Sequence, residues 1–441
     1  MPGNSRYLQT LLLLCVGSTI FCAIFITFES LSSTGRIWKK EVARHEEHPA
    51  KETRDSLTTL PHKRYMTTRE REREREQIYR TSLLGRWLLS SEGSLPPPIV
   101  NNKKKPFLIL IWKHGKFLER RHIKRFTDKK FSPWENCTVK KCVLSYRSED
   151  IDTADAVVFH LHLTRNAMEL PARTRWDQRW IFLTDESPIH TFLYGNQELS
   201  TYNGLFNWSM SYRMNSDVPV PYGRTVSRSF INSPSINFPS REPIVKMKTK
   251  LVTVMGSNCA GVNGRWNYIK RLKEILGTDL DVYGRCLNGN ATACPGHFDR
   301  DCPVLNAYKF YLAFENSNCK DYITEKVFWH GYHKLAVPVI MGAPKKDCER
   351  LLPPRSFLHV TDFADPSALA NYIKYLGQHN DKYLEYHEWR KYYKVINEHG
   401  YFGSVSTHYC RICEALHYNP PTTKVYRHME SFFDKKRDCV L

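Results

Sequence analysis

The stretch YKFYLAFENSNCKDYITEKVFWHGYHKLAVPVIMG, residues 308–342, decides the fold. Its two apolar runs, YKFYLAFEN and AVPVIMG, are typical of buried strands in a parallel sheet. Between them, SNCKDY indicates a loop, and TEKVFWHGYHKL predicts a helix whose N-cap is Thr324 or Asp321. The stretch therefore predicts a strand, a loop, a helix and a second strand, which is the repeating unit of α/β proteins.

The junction between the first strand and the helix is suited to an anion. The carboxyl end of the strand meets the amino end of the helix, where free N–H groups and a positive dipole lie. Lys326 adds a full charge in the first helical turn, where a cation opposes the dipole unless an anion is bound. Glu325 can accept hydrogen bonds from sugar hydroxyls. For this stretch taken alone, a well-capped surface helix without a ligand is the alternative.

Apolar runs of the same kind recur on both sides of residue 240. They are FLILIW, DAVVFHL and RWIFLTDESP before it, and KLVTVMGSN, LDVYGRC and SFLHV after it. Helix-like stretches such as GRWNYIKRLKEIL separate them. The alternation predicts an α/β fold with two Rossmann-like halves, residues 106–240 and 241–415, followed by a tail over residues 416–441. Ligands are expected in a cleft between the halves, at the carboxyl ends of the strands.

The amino terminus predicts a membrane anchor. Residues 8–28, LQTLLLLCVGSTIFCAIFITF, carry no charge and, at ~1.5 Å per residue, are long enough to cross a ~30 Å hydrocarbon core. A cleavable signal peptide is the alternative, although its apolar region usually has only about 7 to 15 residues. The prediction is a cytosolic tail over residues 1–7, one transmembrane helix, and a solvated stem over residues 29–105 that includes REREREREQ.

Sequons and cysteines favour the lumen of the secretory pathway. Three N-glycosylation sequons occur, at Asn136, Asn207 and Asn290. Of 13 cysteines, only Cys15 and Cys22 fall in the predicted span, and the density of the others fits an oxidising compartment. The formal charge of +20 suits nucleic acid, a membrane surface or a phosphorylated small molecule. A luminal location argues against nucleic acid as the partner.

Residues 308–342 resemble the donor-binding motif of the α1,3/4-fucosyltransferases, in which Y-K-F-Y-L-A-F-E-N-S precedes D-Y-I-T-E-K and V-P-V. The likeness extends through TDESP, NWSMSYRMNSDVPVPYG and MGSNCAGVNGRWNYIKRL, and covers about Pro106 to Cys413. It implies an invertebrate-like Golgi α1,3-fucosyltransferase of the GT-B fold, in which two Rossmann-like domains face a cleft. Such an enzyme is a single-pass type II membrane protein with a luminal catalytic part. It moves L-fucose from GDP-fucose to the 3-hydroxyl of GlcNAc in a glycan, with inversion and without a metal or cofactor.

The same resemblance implies the residues that bind the donor. They are Asn258, Arg265, Asn316, Tyr322, Glu325 and Lys326. Arg265 and Lys326 would pair with the pyrophosphate, because fixed cations stabilise a leaving group that gains negative charge. Tyr322 and Glu325 would contact the guanosine ribose or the fucose, and Asn316 would shape the loop.

Glu186, in TDESP, aligns with the proposed catalytic base of the family. Inversion needs a base that takes the proton of the acceptor hydroxyl as an oxocarbenium-like centre forms. One carboxylate suffices because GDP leaves as a stabilised anion. From the residues alone, a strand-end carboxylate that caps a neighbouring helix is the alternative.

Two motifs contain residue types that bind metals, but we do not predict a metal site at either. The segment DLD, residues 279–281, fits the metal-binding D-x-D of other glycosyltransferases, but it leads into an apolar strand. His160 and His162 share one predicted strand face, but no third ligand lies near them in sequence. We therefore expect no bound metal.

Cys410 and Cys413 form a C-x-x-C motif that has no second such pair to complete a zinc site. The lumen favours disulfides, and the family resemblance suggests Cys137 and Cys142 as partners, with the connectivity left open. Because an odd number of cysteines lies outside the predicted span, one thiol is left over. Cys439, near the carboxyl terminus, is the candidate.

Two other functions stay open. One is a catalytically silent, membrane-anchored glycan-binding protein that kept the fold, and the other is a transferase that uses another nucleotide sugar. Loss of Glu186, Arg265 or Lys326 would indicate the first, but all three are present. Cys319 and Lys320 replace the histidine or proline that many relatives carry before DYITEK. The acceptor, an N-glycan core, an antenna or a glycolipid, is therefore left open.

Overall fold

The computed structural model of the chain describes residues 81–90, 95–228, 241–294, 300–421 and 424–440. The predicted cytosolic tail, the predicted transmembrane helix and most of the predicted stem lie outside these ranges. Among the residues that are described, no helix combines the length and the hydropathy needed to cross a membrane. Two parallel sheets carry the fold, so the predicted α/β class is confirmed.

The first sheet has six parallel strands in the order β2-β1-β3-β4-β5-β6. They are β1 (Phe107–Ile111), β2 (Cys142–Ser145), β3 (Ala156–His160), β4 (Arg179–Thr184), β5 (Trp208–Ser211) and β6 (Val218–Pro219). All five residues of β3 are buried, as expected for an inner strand of a parallel sheet that is covered on both faces. The strands predicted from FLILIW, DAVVFHL and RWIFLT are all present.

The second sheet has five parallel strands in the order β11-β10-β9-β7-β8. They are β7 (Lys250–Met255), β8 (Leu280–Tyr283), β9 (Tyr308–Phe314), β10 (Val337–Met341) and β11 (Leu358–His359). The central strand, β9, is buried along its whole length and pairs with β7 and β10. Each of the five strands predicted after residue 240 is present.

The α-helices connect and cover these strands. They are α1 (Leu83–Leu89), α2 (Gly115–His122), α3 (Arg241–Met247), α4 (Arg265–Leu276), α5 (Lys345–Leu351), α6 (Pro366–Gln378), α7 (Asn380–Glu385), α8 (His408–Tyr418) and α9 (Lys435–Asp438). The amino end of α6 shows the local chemistry that starts a helix. Asp365 accepts a 2.9 Å hydrogen bond from the backbone N–H of Ala368, and Pro366 occupies the first turn.

The helix predicted from TEKVFWHGYHKL is a π-helix over Lys326–His333. Glu325 already has helical backbone angles, and the Thr324 carbonyl accepts the first hydrogen bonds of the helix, from the N–H groups of Val327 (3.1 Å) and Phe328 (3.3 Å). Of the two predicted N-caps, Thr324 is therefore confirmed and Asp321 is wrong. Residues 327–332 are all buried, so no polar face fixes the helical period in the sequence. Turns of the π type are rare and occur frequently at functional sites.

After the second sheet, the chain returns to the first. Tyr393–Asn397 pairs antiparallel with Gly223–Ser227. Helix α8 then packs its residues Ile412 and Leu416 into the core of the first sheet. The predicted boundaries assign most of α8 to the second half. In the structure α8 packs on the first sheet, because its apolar side chains are buried in the core of that sheet.

Part of the predicted stem also belongs to this core, which corrects its assignment as a solvated spacer. Helix α1 buries Leu84 and Leu88 in the same apolar cluster as α8. Further along, the side-chain amide of Asn101 donates 2.8 Å hydrogen bonds to the carbonyls of Leu416 and Asn419. The folded domain therefore begins before Pro106.

Five disulfides occur in the described chain. They are Cys137–Cys410, Cys142–Cys413, Cys259–Cys286, Cys294–Cys302 and Cys319–Cys439. The candidate partners of Cys410 and Cys413 are thus the observed ones. The prediction that Cys439 is the leftover thiol is wrong, because its strand pairs with Asn318–Cys319 and brings the two sulfurs together. Among the cysteines that are described, the free one is Cys348, which is buried.

The three sequons differ in exposure. Asn136 and Asn290 are exposed, whereas only 1% of Asn207 is accessible. The Asn207 side-chain oxygen accepts hydrogen bonds from the backbone N–H of Trp180 (2.9 Å) and from Arg173 (2.6 Å). Its amide nitrogen, the atom that would carry a glycan, donates to the Lys424 carbonyl at 2.8 Å. We therefore expect no glycan on Asn207, because its amide nitrogen is buried and already hydrogen-bonded in the folded chain.

We predict glycans on Asn136 and Asn290 but not on Asn207 in chain secreted from a eukaryotic cell. Peptide mapping by mass spectrometry after glycosidase treatment checks this occupancy. Replacing Asn207 by Ala should lower the free energy of unfolding by about 1 to 3 kcal/mol or more, because it leaves the Trp180 N–H buried without an acceptor. Asn136→Gln is the control and should lower stability by only about 1 kcal/mol or less, because the side chain is exposed and only its left-handed backbone, at φ 61°, favours Asn. A glycan on Asn207 in folded protein would contradict the packing.

Candidate active site

A cavity of about 600 Å³ lies where the carboxyl ends of strands from the two sheets meet. Its walls include residues that follow β4, β7, β8 and β9, the edges at which parallel sheets present ligand sites. All of the residues that the sequence proposed for catalysis and donor binding line it: Glu186, Asn258, Arg265, Asn316, Tyr322, Glu325 and Lys326. The structure therefore brings together residues separated by as much as 140 positions in the chain.

Arg265 is the first residue of α4 and is buried against the cavity wall. Its guanidinium donates to three backbone carbonyls, those of Phe314 (3.1 Å), Asn258 (2.8 Å) and Ala260 (3.0 Å). Its Nε has no hydrogen-bond partner. Burial lowers the pKa of Arg265, but an arginine remains charged at neutral pH. A rigidly held cation that contacts only neutral oxygens is suited to bind an anion.

Lys326 is held by carboxylates, which the sequence reasoning did not foresee. Its Nζ donates to Glu315 Oε2 at 2.9 Å, to Thr324 Oγ1 at 3.0 Å and to Glu325 Oε1 at 3.1 Å. Burial alone would raise the pKa of Glu325, but Lys326 and His330 hold it at about 2. The Lys326 ammonium is therefore fixed in place before any ligand arrives.

Glu315 is a residue of the site that was not predicted from the sequence, although it lies within the motif of residues 308–342. It directly follows β9, is 1% exposed, and accepts hydrogen bonds from the Thr324 N–H (2.9 Å) and hydroxyl (2.7 Å) as well as from Lys326. Burial raises the pKa of Glu315, and Lys326 opposes that rise. The position of a carboxylate directly after a largely apolar strand could have identified Glu315 from the sequence.

Glu186 follows β4 and is partly buried on the other side of the cavity. Its Oε2 accepts hydrogen bonds from the Tyr322 hydroxyl at 2.9 Å and from the Asn316 amide at 3.3 Å. Burial and the charge of Glu186 raise the pKa of Tyr322 well above its usual value, so this phenol stays protonated and donates. In this structure Tyr322 and Asn316 thus orient the carboxylate, a role that the sequence did not predict for them.

The cavity walls also include residues that were not predicted, among them Tyr222, Arg285, Tyr401 and Phe402. Arg285 follows β8 and donates through its Nε to the Ser257 carbonyl, so it adds a third cation to the walls. Its position at the carboxyl end of a predicted strand could have identified Arg285 as a site residue from the sequence. Tyr401 and Phe402 come from the returning carboxyl-terminal segment, which no motif marks.

The motifs that were weighed as metal sites do not line this cavity. Asp281 pairs instead with Lys250 at 2.9 Å. His160 is buried next to Phe117, with ring centroids 5.9 Å apart. Two groups of the described residues have potential ligand atoms within 4.8 Å of one another: Cys142, Cys413 and His417, and Asp185, His399 and His408. The cysteines of the first group form a disulfide.

Two family models match the chain. The model described as "Fucosyltransferase, N-terminal" matches residues 104–223, and "Glycosyltransferase family 10 (fucosyltransferase) C-term" matches residues 245–432. A solved structure described as α1,3-fucosyltransferase with GDP-fucose superposes with a TM-score of 0.43 and 17% identity, over 70% of this chain and 87% of that one.

Curated relatives match over much of the chain. Alpha-(1,3)-fucosyltransferase 7 of Mus musculus is 32% identical over 79% of this chain and 80% of its own length. Glycoprotein 3-alpha-L-fucosyltransferase A of Drosophila melanogaster is also 32% identical, over 64% of this chain but only 52% of its own length. These matches confirm the predicted relationship to the α1,3/4-fucosyltransferases and the predicted class of enzyme. The chain belongs to glycosyltransferase family 10, the fucosyltransferase family.

Proposed function

We propose that this chain transfers L-fucose from GDP-fucose to the 3-hydroxyl of GlcNAc in a glycan, with inversion. The observation that carries the proposal is the single cavity in which a carboxylate, Glu186, and two fixed cations, Arg265 and Lys326, are assembled from distant parts of the chain. Two Rossmann-like domains that face this cavity, the GT-B arrangement, are part of the proposal.

The cations suit the donor. As the bond between fucose C1 and the phosphate oxygen breaks, GDP leaves with the electron pair and gains negative charge. Backbone carbonyls hold Arg265 in position, and Glu315 holds Lys326, so neither cation has to reorganise as that charge develops. Because these side chains supply positive charge, we propose that the reaction needs no metal and no cofactor other than the donor.

The carboxylate suits the acceptor. As the acceptor O3 forms its bond to fucose C1 from the opposite face, its proton passes to Glu186. The hydrogen bonds from Tyr322 and Asn316 to Oε2 fix the carboxylate group in one orientation. A base in a fixed position raises the rate because the reacting atoms are held in line before the reaction.

The location is also part of the proposal. Sequons and disulfides suit the lumen of the secretory pathway, so we place the catalytic part in the Golgi lumen. Residues 8–28 would then form the single membrane anchor of a type II protein.

We predict that the chain hydrolyses and transfers from GDP-fucose but not from UDP- or CMP-sugars. Donor turnover is measured for each nucleotide sugar, and a glycan array then identifies the acceptor. Turnover with GDP-fucose excludes the silent glycan-binding protein. Equal or faster turnover with a UDP- or CMP-sugar would show that the enzyme uses another donor.

Glu186→Gln should retain GDP binding but lose about 100-fold or more in kcat, because the amide cannot accept the proton. Steady-state kinetics give kcat, and isothermal titration calorimetry gives the affinity for GDP. Asp281→Asn, which lies outside the cavity, is the matched control and should leave kcat unchanged. Turnover of Glu186→Gln near that of wild type would end the assignment of the base.

Arg265→Ala and Lys326→Ala should each weaken GDP binding by about 10- to 100-fold, because each removes a charged contact with the diphosphate. Calorimetric titration with GDP at low and high salt measures this loss. Lys250→Ala, a cation in the same sheet that lies outside the cavity, is the control. Unchanged affinity in both variants would remove the diphosphate role of this pair.

A further inference from the structure

A second cluster of ionisable side chains lies next to the candidate base. Asp185, which directly precedes Glu186, is 4% exposed. Its Oδ2 accepts a 2.8 Å hydrogen bond from Arg121. Its Oδ1 lies 3.2 Å from His399 Nε2 and 3.3 Å from His408 Nε2. None of these four residues lines the cavity, so the cluster has no direct role in binding the donor.

The cluster joins three distant parts of the chain. Arg121 belongs to α2, Asp185 follows β4, and the two histidines belong to the returning carboxyl-terminal segment, where His408 begins α8. Burial alone would raise the pKa of Asp185, but the charge of Arg121 keeps it well below its usual value. Burial lowers the pKa of His399 to about 3, so that ring is neutral near pH 7. Arg121 and His408 hydrogen-bond to Asp185, so this buried carboxylate joins α2, the end of β4 and the start of α8. His399 packs against the carboxylate, but its Nε2 makes no hydrogen bond to the described part of the chain.

Contacts through two tyrosines connect the cluster to the cavity wall. Arg121 also donates to the Tyr401 hydroxyl. The Tyr222 hydroxyl donates to the Asp185 carbonyl at 3.1 Å, and the Tyr222 ring stacks on His399 with centroids 3.9 Å apart. Both tyrosines line the cavity. The peptide that precedes Glu186 is thus held by contacts separate from those of Tyr322 and Asn316 with the carboxylate.

A metal ion is the competing interpretation of this cluster, because Asp185, His399 and His408 offer three ligand atoms within 4.8 Å. Arg121, however, already neutralises the carboxylate of Asp185. A buried divalent cation would then be left with neutral imidazoles alone, and an uncompensated buried charge is strongly disfavoured. The ion pair of Arg121 and Asp185 accounts for the cluster without a metal.

We propose that Asp185 is a positioning residue for the reaction: through Arg121 and His408 it holds the end of β4 and the Tyr401 wall so that Glu186 meets the acceptor hydroxyl. This inference rests on the proposed function. A base must be held within about 0.5 Å of its productive position, and side chains that pack and hydrogen-bond around it provide that precision.

Asp185→Asn keeps the shape of the side chain but removes its charge. We expect kcat for fucose transfer to fall about 10- to 100-fold, because a misplacement of about 1 Å costs that much. The affinity for GDP should change by less than about twofold, because Arg265 and Lys326 are untouched. Steady-state kinetics and calorimetry with the full chain measure the two effects separately.

A double-mutant cycle distinguishes positioning from general destabilisation. If Asp185 acts through Glu186, then Asp185→Asn should reduce the residual turnover of Glu186→Gln by less than about twofold. A full additional loss in that background would overturn the proposal. So would a kcat of Asp185→Asn within about twofold of wild type.

Asp155→Asn is the matched control. Asp155 lies at the amino end of β3, on the opposite edge of the same sheet, and accepts a 2.8 Å hydrogen bond from the Leu108 N–H. Replacing Asp155 by Asn should lower Tm but leave kcat unchanged.

If Asp185→Asn does not fold, Arg121→Lys tests the same contacts. The lysine ammonium keeps the charge but cannot donate to Asp185 and Tyr401 at once, as the guanidinium does. This variant should show the same loss of kcat and the same absence of a further loss in Glu186→Gln; a kcat within about twofold of wild type would overturn the proposal. Wild-type chain that transfers no fucose would refute the proposed function instead.

Discussion

A buried carboxylate at the end of the central strand, Glu315, is the constraint on which the second half of the site depends. It is 1% exposed and takes hydrogen bonds from Thr324 and Lys326, so it fastens the first turn of the π-helix to β9. Removing one partner of such a pair leaves an uncompensated charge and costs about 3 to 5 kcal/mol. The same bonds therefore stabilise the fold and fix the cation that faces the cavity.

The candidate base contacts residues of both halves of the chain. Glu186 extends from the first sheet, whereas its donors Asn316 and Tyr322 belong to the loop after β9. Next to it, the Ser187 and Ser317 hydroxyls, one from each half, lie 2.7 Å apart. The loop after β9 therefore contributes both to the donor pocket and to the hydrogen bonds that hold the base.

Much of this arrangement could be predicted from local sequence, and the exceptions share a cause. The strands were predictable because each is a short apolar run. Glu325 and Lys326 were predictable because they begin a helix directly after a strand and its loop, and the other predicted cavity residues because their motifs resemble those of the fucosyltransferases. The π-helix was not, since residues 327–332 are buried on every side and show no period. Glu315, Tyr401 and the pairing of Cys319 with Cys439 were missed because each depends on a contact that only the fold creates.

By itself, the sequence determined the α/β class, the two sets of strands and the chemistry of the site residues, because apolar periodicity and side-chain chemistry are local properties. Only the tertiary structure decided that Asn207 is buried, that α8 returns to the first sheet, and that Asp185 lies among Arg121 and two histidines. These outcomes join residues far apart in the chain, and their burial depends on how the segments pack, a property that no single stretch of residues contains.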